Sequence, residues 1–236
     1  MLVRYGGTKL DCPSCGAEGE FHKLRDRRVY ACPNCLFQIA PTANTILHDT
    51  RTPLVSWFYA MYLFCTTRHG VSGKELQRQL GVTYKTAWRM GWQIRKLTEK
   101  ADHFDALLCG HVEIDEAYVG GRVSGFGGGR GAPNKTIVLG MIERKGRTVA
   151  RIIPDVKTKT TRPNHGKGEY SRFVIKSLSF HVNSVEGFWR LFKASVRSTH
   201  VLISPKYMQR YLSEFTFRAD HRGRVNGMFD LLVGAL

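Results

Sequence analysis

From Leu54 the chain is apolar at close spacing, and Leu54, Val55, Trp57, Phe58, Met61, Tyr62 and Phe64 predict a well-buried helix that opens after Pro53 and ends at Gly70. Ser72-Gly73-Lys74-Glu75 has the form of a capping box, in which Ser72 accepts from the amide three residues on and Glu75 reaches back, opening a short helix through Leu80. Gly81-Val82 turns the chain. Thr83 then caps a second helix, Tyr84 to about Leu97, with Ala87, Met90 or Gly91, and Ile94 inward and Lys85, Arg89, Arg95 and Lys96 outward. A short helix, a glycine-containing turn and a basic second helix describe a helix-turn-helix, and an ordinary helical hairpin has the same pattern. In a helix-turn-helix, Lys85, Thr86 and Arg89 meet the major groove.

From about Leu107 the period shortens to that of strands. Val112 and Ile114 alternate with Glu113 and Asp115, Ile137 to Ile142 reads as a second strand, Lys145-Gly146 as a turn, and Thr148 to Ile153 as a third strand, together an antiparallel meander. Between the first two strands, Gly120 to Gly131 is rich in glycine and carries Arg122 and Arg130. It lacks the spacing of a nucleotide phosphate loop and reads as a basic loop touching DNA backbone, or as a plain irregular excursion. A helical period returns at Asn183 or Ser184, with Val185, Phe188 or Trp189, Phe192 and Val196 turned inward and Glu186, Lys193 and Arg197 on another face. Such a face suits a carboxylate that binds metal beside a lysine that grips phosphate, or simply a solvated ion-paired surface. Ser204-Pro205 opens a last predicted helix with Tyr207, Tyr211 and Phe215 in a core stripe.

Charge narrows the class of partner. Thirty-six Lys and Arg against 19 Asp and Glu give a formal +17 over 236 residues, spread along the chain. Such a field attracts a polyanion and points to nucleic acid. No secretory signal is apparent and no run approaches the roughly 18 apolar residues of a membrane span, so a cytoplasmic, nucleoid-associated protein without a membrane partner is expected.

Cys12-Pro13-Ser14-Cys15 and Cys32-Pro33-Asn34-Cys35 have the spacing of two knuckles closing a tetrahedral thiolate site. Four thiolates leave no position open for water, so Cys12, Cys15, Cys32 and Cys35 predict a structural Zn²⁺ in a ribbon, with Arg25, Arg27, Arg28 and Tyr30 supplying its solvent face and a strand. Cys65 and Cys109 stand apart and are expected to be buried small side chains.

The order of these parts resembles bacterial insertion-sequence transposases of the ISXO-like group, which join an N-terminal zinc ribbon to a ribonuclease-H-like DDE domain. The matching stretches are Cys12 to Cys35, Ile46 to Leu54, Val112 to Gly121, Arg130 to Pro133, Val149 to Thr161 and His181 to Phe217. The resemblance implies an α/β fold class in three parts: a zinc ribbon over 1–48, a helix-turn-helix region over 49–105, and a ribonuclease-H-like (DDE transposase/integrase) domain over 106–236. It also implies Mg²⁺ or Mn²⁺ between carboxylates, cleavage and strand transfer on double-stranded DNA bearing terminal inverted repeats and target sites, and a homo-oligomer on that DNA. By position Asp115 is the first acidic residue. The last falls at Glu186, with Asn183 as a neutral alternative ligand, and Lys193 follows seven residues on. The chain departs from the family pattern after its third strand: no aspartate occurs between Asp155 and Asp220, as though the segment bearing the second aspartate were missing near 161–164. Two expectations follow. In one, Asp155, Glu113 or Glu169 completes the metal site of an active transposase; in the other, the protein binds DNA but does not cut it. A zinc-ribbon transcription regulator would account for the first half alone.

Overall fold

The computed structural model describes residues 5–25, 27–101, 108–110, 112–120, 135–144, 146–154 and 183–236. Arg122, Arg130, Asp155, Glu169 and the 161–164 stretch lie outside the described residues, as does the side chain of Asn183.

The cysteine-bearing segment folds as two small antiparallel sheets: β1 (Lys9–Asp11) with β2 (Glu18–Glu20), and β3 (His22–Lys23), β4 (Tyr30–Ala31) and β5 (Gln38–Ile39) in order. Its buried apolar centre is Cys12, Phe21 and Cys32, with Leu10, Tyr30 and Ile39 packed against them. So small a core cannot offset the chain entropy of its residues alone.

Three helices follow: α1 (Leu54–Thr66), α2 (Gly73–Leu80) and α3 (Tyr84–Ala101). Helix α1 ends before Gly70, and it is one-sided instead of wholly buried: Trp57, Ala60, Met61, Phe64 and Cys65 face inward, while Val55 is 79% and Tyr62 48% exposed. The serine half of the capping box forms, Ser72 Oγ accepting from the Glu75 amide at 3.1 Å. The glutamate half does not. Glu75 accepts from Gln79 Nε2 at 2.9 Å and from Arg78, and these donors hold its carboxyl below the usual range. Gly81 takes the left-handed conformation (φ 64°) that turns the chain, and Thr83 Oγ1 accepts from the Thr86 amide at the start of α3. Ala87, Met90, Gly91 and Ile94 are buried as their spacing predicts.

Arg95, expected to point outward, is instead 5% exposed. Its Nε donates to Glu214 Oε2 at 2.7 Å and its Nη2 to the Val71 carbonyl at 2.9 Å. Arg218 joins the same Glu214 carboxylate and also donates to the Thr67 carbonyl. Glu214, 1% exposed, thereby stays ionised despite burial, held down by the two guanidinium groups. A buried charge is tolerable only with such partners.

The second half builds a three-stranded antiparallel sheet in the order β6 (Val112–Val119), β7 (Thr136–Glu143), β8 (Thr148–Ile153), the meander expected from the sequence. One face carries Glu113, Asp115, Ala117 and Val119 with their cross-strand partners Ile142, Gly140, Val138 and Thr136. Helix α4 (Asn183–Ser195) packs on that face through Val185, Phe188, Trp189 and Phe192. The opposite face gathers Val112, Ile114, Leu139, Met141 and Val149 with Leu108. Beyond Ser195 the chain runs through a π-helical turn (Val196–His200) into α5 (Pro205–Asp220) and then α6 (Val225–Gly234), which the sequence reading did not anticipate. Helix α6 inserts Met228 and Leu232 into the core of α1 and α3, beside Trp57, Met61 and Leu97. Cys65 is buried as expected, but Cys109 is exposed. Among the described residues, no helix is long and apolar enough to cross a membrane.

Candidate functional site

The sequence-predicted carboxylates lie on two elements that pack together, strand β6 and helix α4. Asp115 lies on the face of β6 that receives α4, and Glu186 is in the first turn of α4, exposed at its flank with Lys193 two turns on. Among the described residues, no side-chain hydrogen bond or ion pair engages Asp115 or Glu186, so both oxygens of each are available to a ligand.

The residue that joins strand to helix is Glu113. Its Oε2 accepts from the Ser184 amide at 2.8 Å and the Val185 amide at 3.2 Å, and its Oε1 accepts from Ser184 Oγ at 3.0 Å and Arg144 Nε at 3.4 Å. Burial opposes ionisation of this carboxyl, but the converging donors outweigh it and hold it below the usual range. Glu113 is therefore an N-cap supplied by the neighbouring strand, satisfying helix amides that have no intrahelical partner. Both oxygens of Glu113 are thus engaged by protein donors. The capping role was invisible in the sequence because the capping residue and the capped amides lie 71 and 72 residues apart. The carboxylate next to the expected metal ligand was the available signal.

A second contact sets how closely α4 approaches. Gly140 is the cross-strand partner of Asp115, and Trp189 lies against its bare Cα: a Cβ there would stand 2.5 Å from Trp189 Cζ2. The glycine lets the indole press onto the sheet next to Asp115. Carboxylate oxygens are the ligand type that suits a hard divalent cation such as Mg²⁺ or Mn²⁺. Among the described residues, no three carboxylate or histidine ligands converge around Asp115 or Glu186. Asp220, the next aspartate in the chain after Asp155, accepts from the Thr148 amide at 2.7 Å on the far edge strand, in the cross-strand row of Glu113 and Ile142.

In the N-terminal sheets, Cys12, Cys15, Cys32 and Cys35 converge with all four Sγ atoms within 4.8 Å of one another. The Cys12–Cys35 and Cys15–Cys32 sulfurs are 3.5 and 3.9 Å apart, bracketing the roughly 3.8 Å edge of a tetrahedron with Zn–S bonds of about 2.3 Å. Each knuckle is closed by backbone bonds, Gly16 N–H to the Cys12 carbonyl at 2.8 Å and Leu36 N–H to the Cys32 carbonyl at 3.1 Å. Burial pushes the Cys12 thiol up, but the amides of Cys15 and Ser14 aim at its sulfur and bring it down to about 6, while the neighbouring sulfurs push Cys15 the other way, as expected of thiols crowded together. The donor set fits structural zinc.

Residues 107–167 and 157–220 match the ISXO2-like transposase domain family, two stretches that overlap at 157–167 and together span the β6–α4 contact. This part of the chain is an ISXO2-like transposase domain. Membership of this DDE family implies a transposase-related function, DNA binding and use of a divalent metal. Neither the curated proteins nor the solved structures compared with the chain give a match.

The transposase domain is locked to the helices before it through the Arg95–Glu214–Arg218 cluster and through α6. Half-buried beside that cluster, His200 is pushed down to about 4 by loss of solvent and by the two arginines, against the pull of Glu214. The DNA-facing candidates of α3 point away from this joint: Lys85 and Arg89 are exposed, while the Thr86 hydroxyl, half-buried, pairs with Thr83 Oγ1 at 3.0 Å.

Proposed function

We propose that the chain is an insertion-sequence transposase that holds the ends of its element as double-stranded DNA and presents Asp115 and Glu186 to a divalent metal ion. The observation that carries this reading is the family match over 107–220, the segment bearing both carboxylates, in a chain of +17 net charge. In this reading Lys85, Thr86 and Arg89 at the start of α3 read the duplex as the second helix of a helix-turn-helix, and the zinc-held ribbon adds a further basic contact through Arg25, Arg27 and Arg28. Bound Mg²⁺ or Mn²⁺ supplies activation of a water or a DNA 3′-hydroxyl for in-line attack on a phosphodiester. Asp115 and Glu186 hold that ion, with Asn183 as a neutral alternative at the start of α4. Lys193, on the flank of Glu186, grips a phosphate oxygen. Arg122 and Arg130 contribute backbone contacts, and two copies of the protein pair two DNA ends.

A second reading, binding without cutting, is favoured by specific observations. Glu113 is committed to the α4 cap and Asp220 to the Thr148 amide, and no aspartate occurs between Asp155 and Asp220. The family is matched in two pieces meeting at 157–167, which supports a missing segment at the place where the second aspartate is expected. Mn²⁺- or Mg²⁺-dependent cleavage and strand joining on DNA carrying the element's own ends, compared with Asp115→Ala, separates the two readings. Activity abolished by the substitution establishes cutting; inactivity of both proteins with undiminished end binding establishes the second reading. Failure to bind the ends at all rejects both.

A further inference from the structure

Helix α3 presents two stripes side by side. Lys85, Arg89 and Lys96 form the exposed basic one, and Tyr84, Trp88 and Trp92, four residues apart, form an aromatic one between it and α5. Tyr84 is 45% and Trp88 39% exposed. The indoles of Trp88 and Trp92 stack with centroids 5.9 Å apart and planes 11° from parallel, and Tyr207 of α5 sets its edge against both at 5.6 and 5.9 Å. Cations ring the cluster: Lys74 Nζ lies 4.7 Å from the Tyr84 centroid, the Arg210 guanidinium 3.9 Å from that of Trp92, and Lys206 Nζ 5.6 Å from that of Tyr207. The nearby carboxylates are taken, Glu75 by Arg78 and Gln79, and Glu99 by Arg210 at 3.7 Å. Solvent-exposed π-surface framed by unneutralised lysines is not what core packing requires, and it suits a ligand with flat rings and negative charge.

A second copy of the same face would oppose cation to cation. A DNA duplex offers the charge, but its bases are already stacked on one another. An unpaired strand offers both charge and free base faces. We infer that this face of α3 and α5 stacks the unpaired bases of single-stranded DNA next to the duplex held by the basic stripe, Trp88 receiving a base while Lys74 and Lys206 meet flanking phosphates. The inference goes beyond the duplex-binding reading and borrows from it only that the polyanion is DNA.

The test uses the full-length zinc-loaded protein and fluorescence anisotropy with three probes: a labelled oligothymidine, a blunt duplex, and the same duplex with a single-stranded extension. Trp88→Leu keeps apolar volume and removes the π-face; Trp88→Tyr restores a ring. The expected result is a loss of oligothymidine affinity of roughly 5- to 150-fold in Trp88→Leu, largely recovered in Trp88→Tyr, with blunt-duplex affinity unchanged as a control on folding. The advantage of the extended over the blunt duplex should vanish in Trp88→Leu as well. Equal oligothymidine affinity of wild type and Trp88→Leu overturns the inference, as does failure of the wild type to bind oligothymidine. A change in the sedimentation of DNA-free Trp88→Leu with unaltered affinity also overturns it, making the face a contact between copies. Loss of duplex affinity on Lys85→Ala or Arg89→Ala is read independently, so failure of the duplex-binding reading is seen separately.

Discussion

The ribbon and the β6–α4 contact both gather a few ionisable side chains, but they hold them in opposite ways. In the ribbon the four sulfurs come from two short knuckles, and the apolar centre around Phe21 is so slight that the ligands themselves must organise the fold. At the β6–α4 contact the order is reversed. A core of Val185, Phe188, Trp189 and Phe192 against the sheet is complete without an ion, and Asp115 and Glu186 are carried on it as exposed or half-buried passengers. Metal removal therefore has structural consequences in one region and only chemical ones in the other.

The strongest test of that contrast is to strip the ribbon. Chelation, or Cys32→Ser, removes the ion that supplies the segment's folding free energy, of order 10–16 kcal/mol for small zinc modules. The expected outcome is collapse of backbone amide dispersion for residues 9–39 in NMR spectra while the signals of α3 and β6–β8 persist. Uniform loss of structure across the chain would show that the ribbon is integral to the rest.

The counterpart at the second region is Glu113. Replacing it by Ala leaves two helix amides and the Arg144 guanidinium without their acceptor, and should lower unfolding free energy by about 3 kcal/mol in urea titrations, while Glu113→Gln, which still accepts, should cost about half as much. The pH dependence carries the sign of a depressed carboxyl. The stabilisation is fully present above the unfolded value near 4.3 and is lost as pH falls through the lower folded one. The Gln variant should flatten that acid limb. If Ala and Gln instead leave stability and the acid limb unchanged, Glu113 is free for a metal and the cap assignment falls.

A smaller effect is expected from Gly140→Ala. The added methyl meets the Trp189 indole, and relief requires α4 to back away from Asp115 at a cost of about 2 kcal/mol. Altered Trp189 fluorescence with an unchanged ribbon would mark the shift as local to the β6–α4 contact. Unaltered fluorescence and stability would mean that Trp189 does not press on Gly140.

The same contrast explains how much was legible in the sequence. The Ser72 and Thr83 caps and the inward positions of α3 depend on neighbours a few residues away; the ribbon's ligands, 17 and 23 residues apart, and the strands of the meander still show in local spacing. The spacing of α3 puts Arg95 outward because its partner Glu214 is 119 residues on, and the capping role of Glu113 is hidden because its partners are 71 residues on. Val55 and Tyr62 of α1, counted among buried positions, are exposed: an apolar run fixes that a helix forms more firmly than which of its sides is covered. Helix α6 has no clear local signature, since its short apolar stretch gains meaning only in the groove between α1 and α3.

The finest test lies inside the ribbon, where the knuckles differ at one position. After Cys15 the chain turns through Gly16 at φ +70°; after Cys35 the equivalent turn falls on Leu36 at φ +62°, a left-handed conformation in which a side chain is strained, and Leu36 is 67% exposed, so packing returns little. Relief of that strain is worth about 1–2 kcal/mol, and the extra freedom of glycine in the unfolded chain takes back about 0.5–1 kcal/mol. Leu36→Gly should therefore stabilise the ribbon by roughly 0.5–1 kcal/mol, read as a 2- to 5-fold rise in zinc affinity in chelator competition, because in this region folding and metal binding are one equilibrium. The same substitution should leave the urea midpoint of β6–β8 and α4 where it was. A rise in both would mean that the two regions share one cooperative unit, and an affinity that falls would mean that Leu36 packs against something that stabilises the turn more than its backbone strain costs.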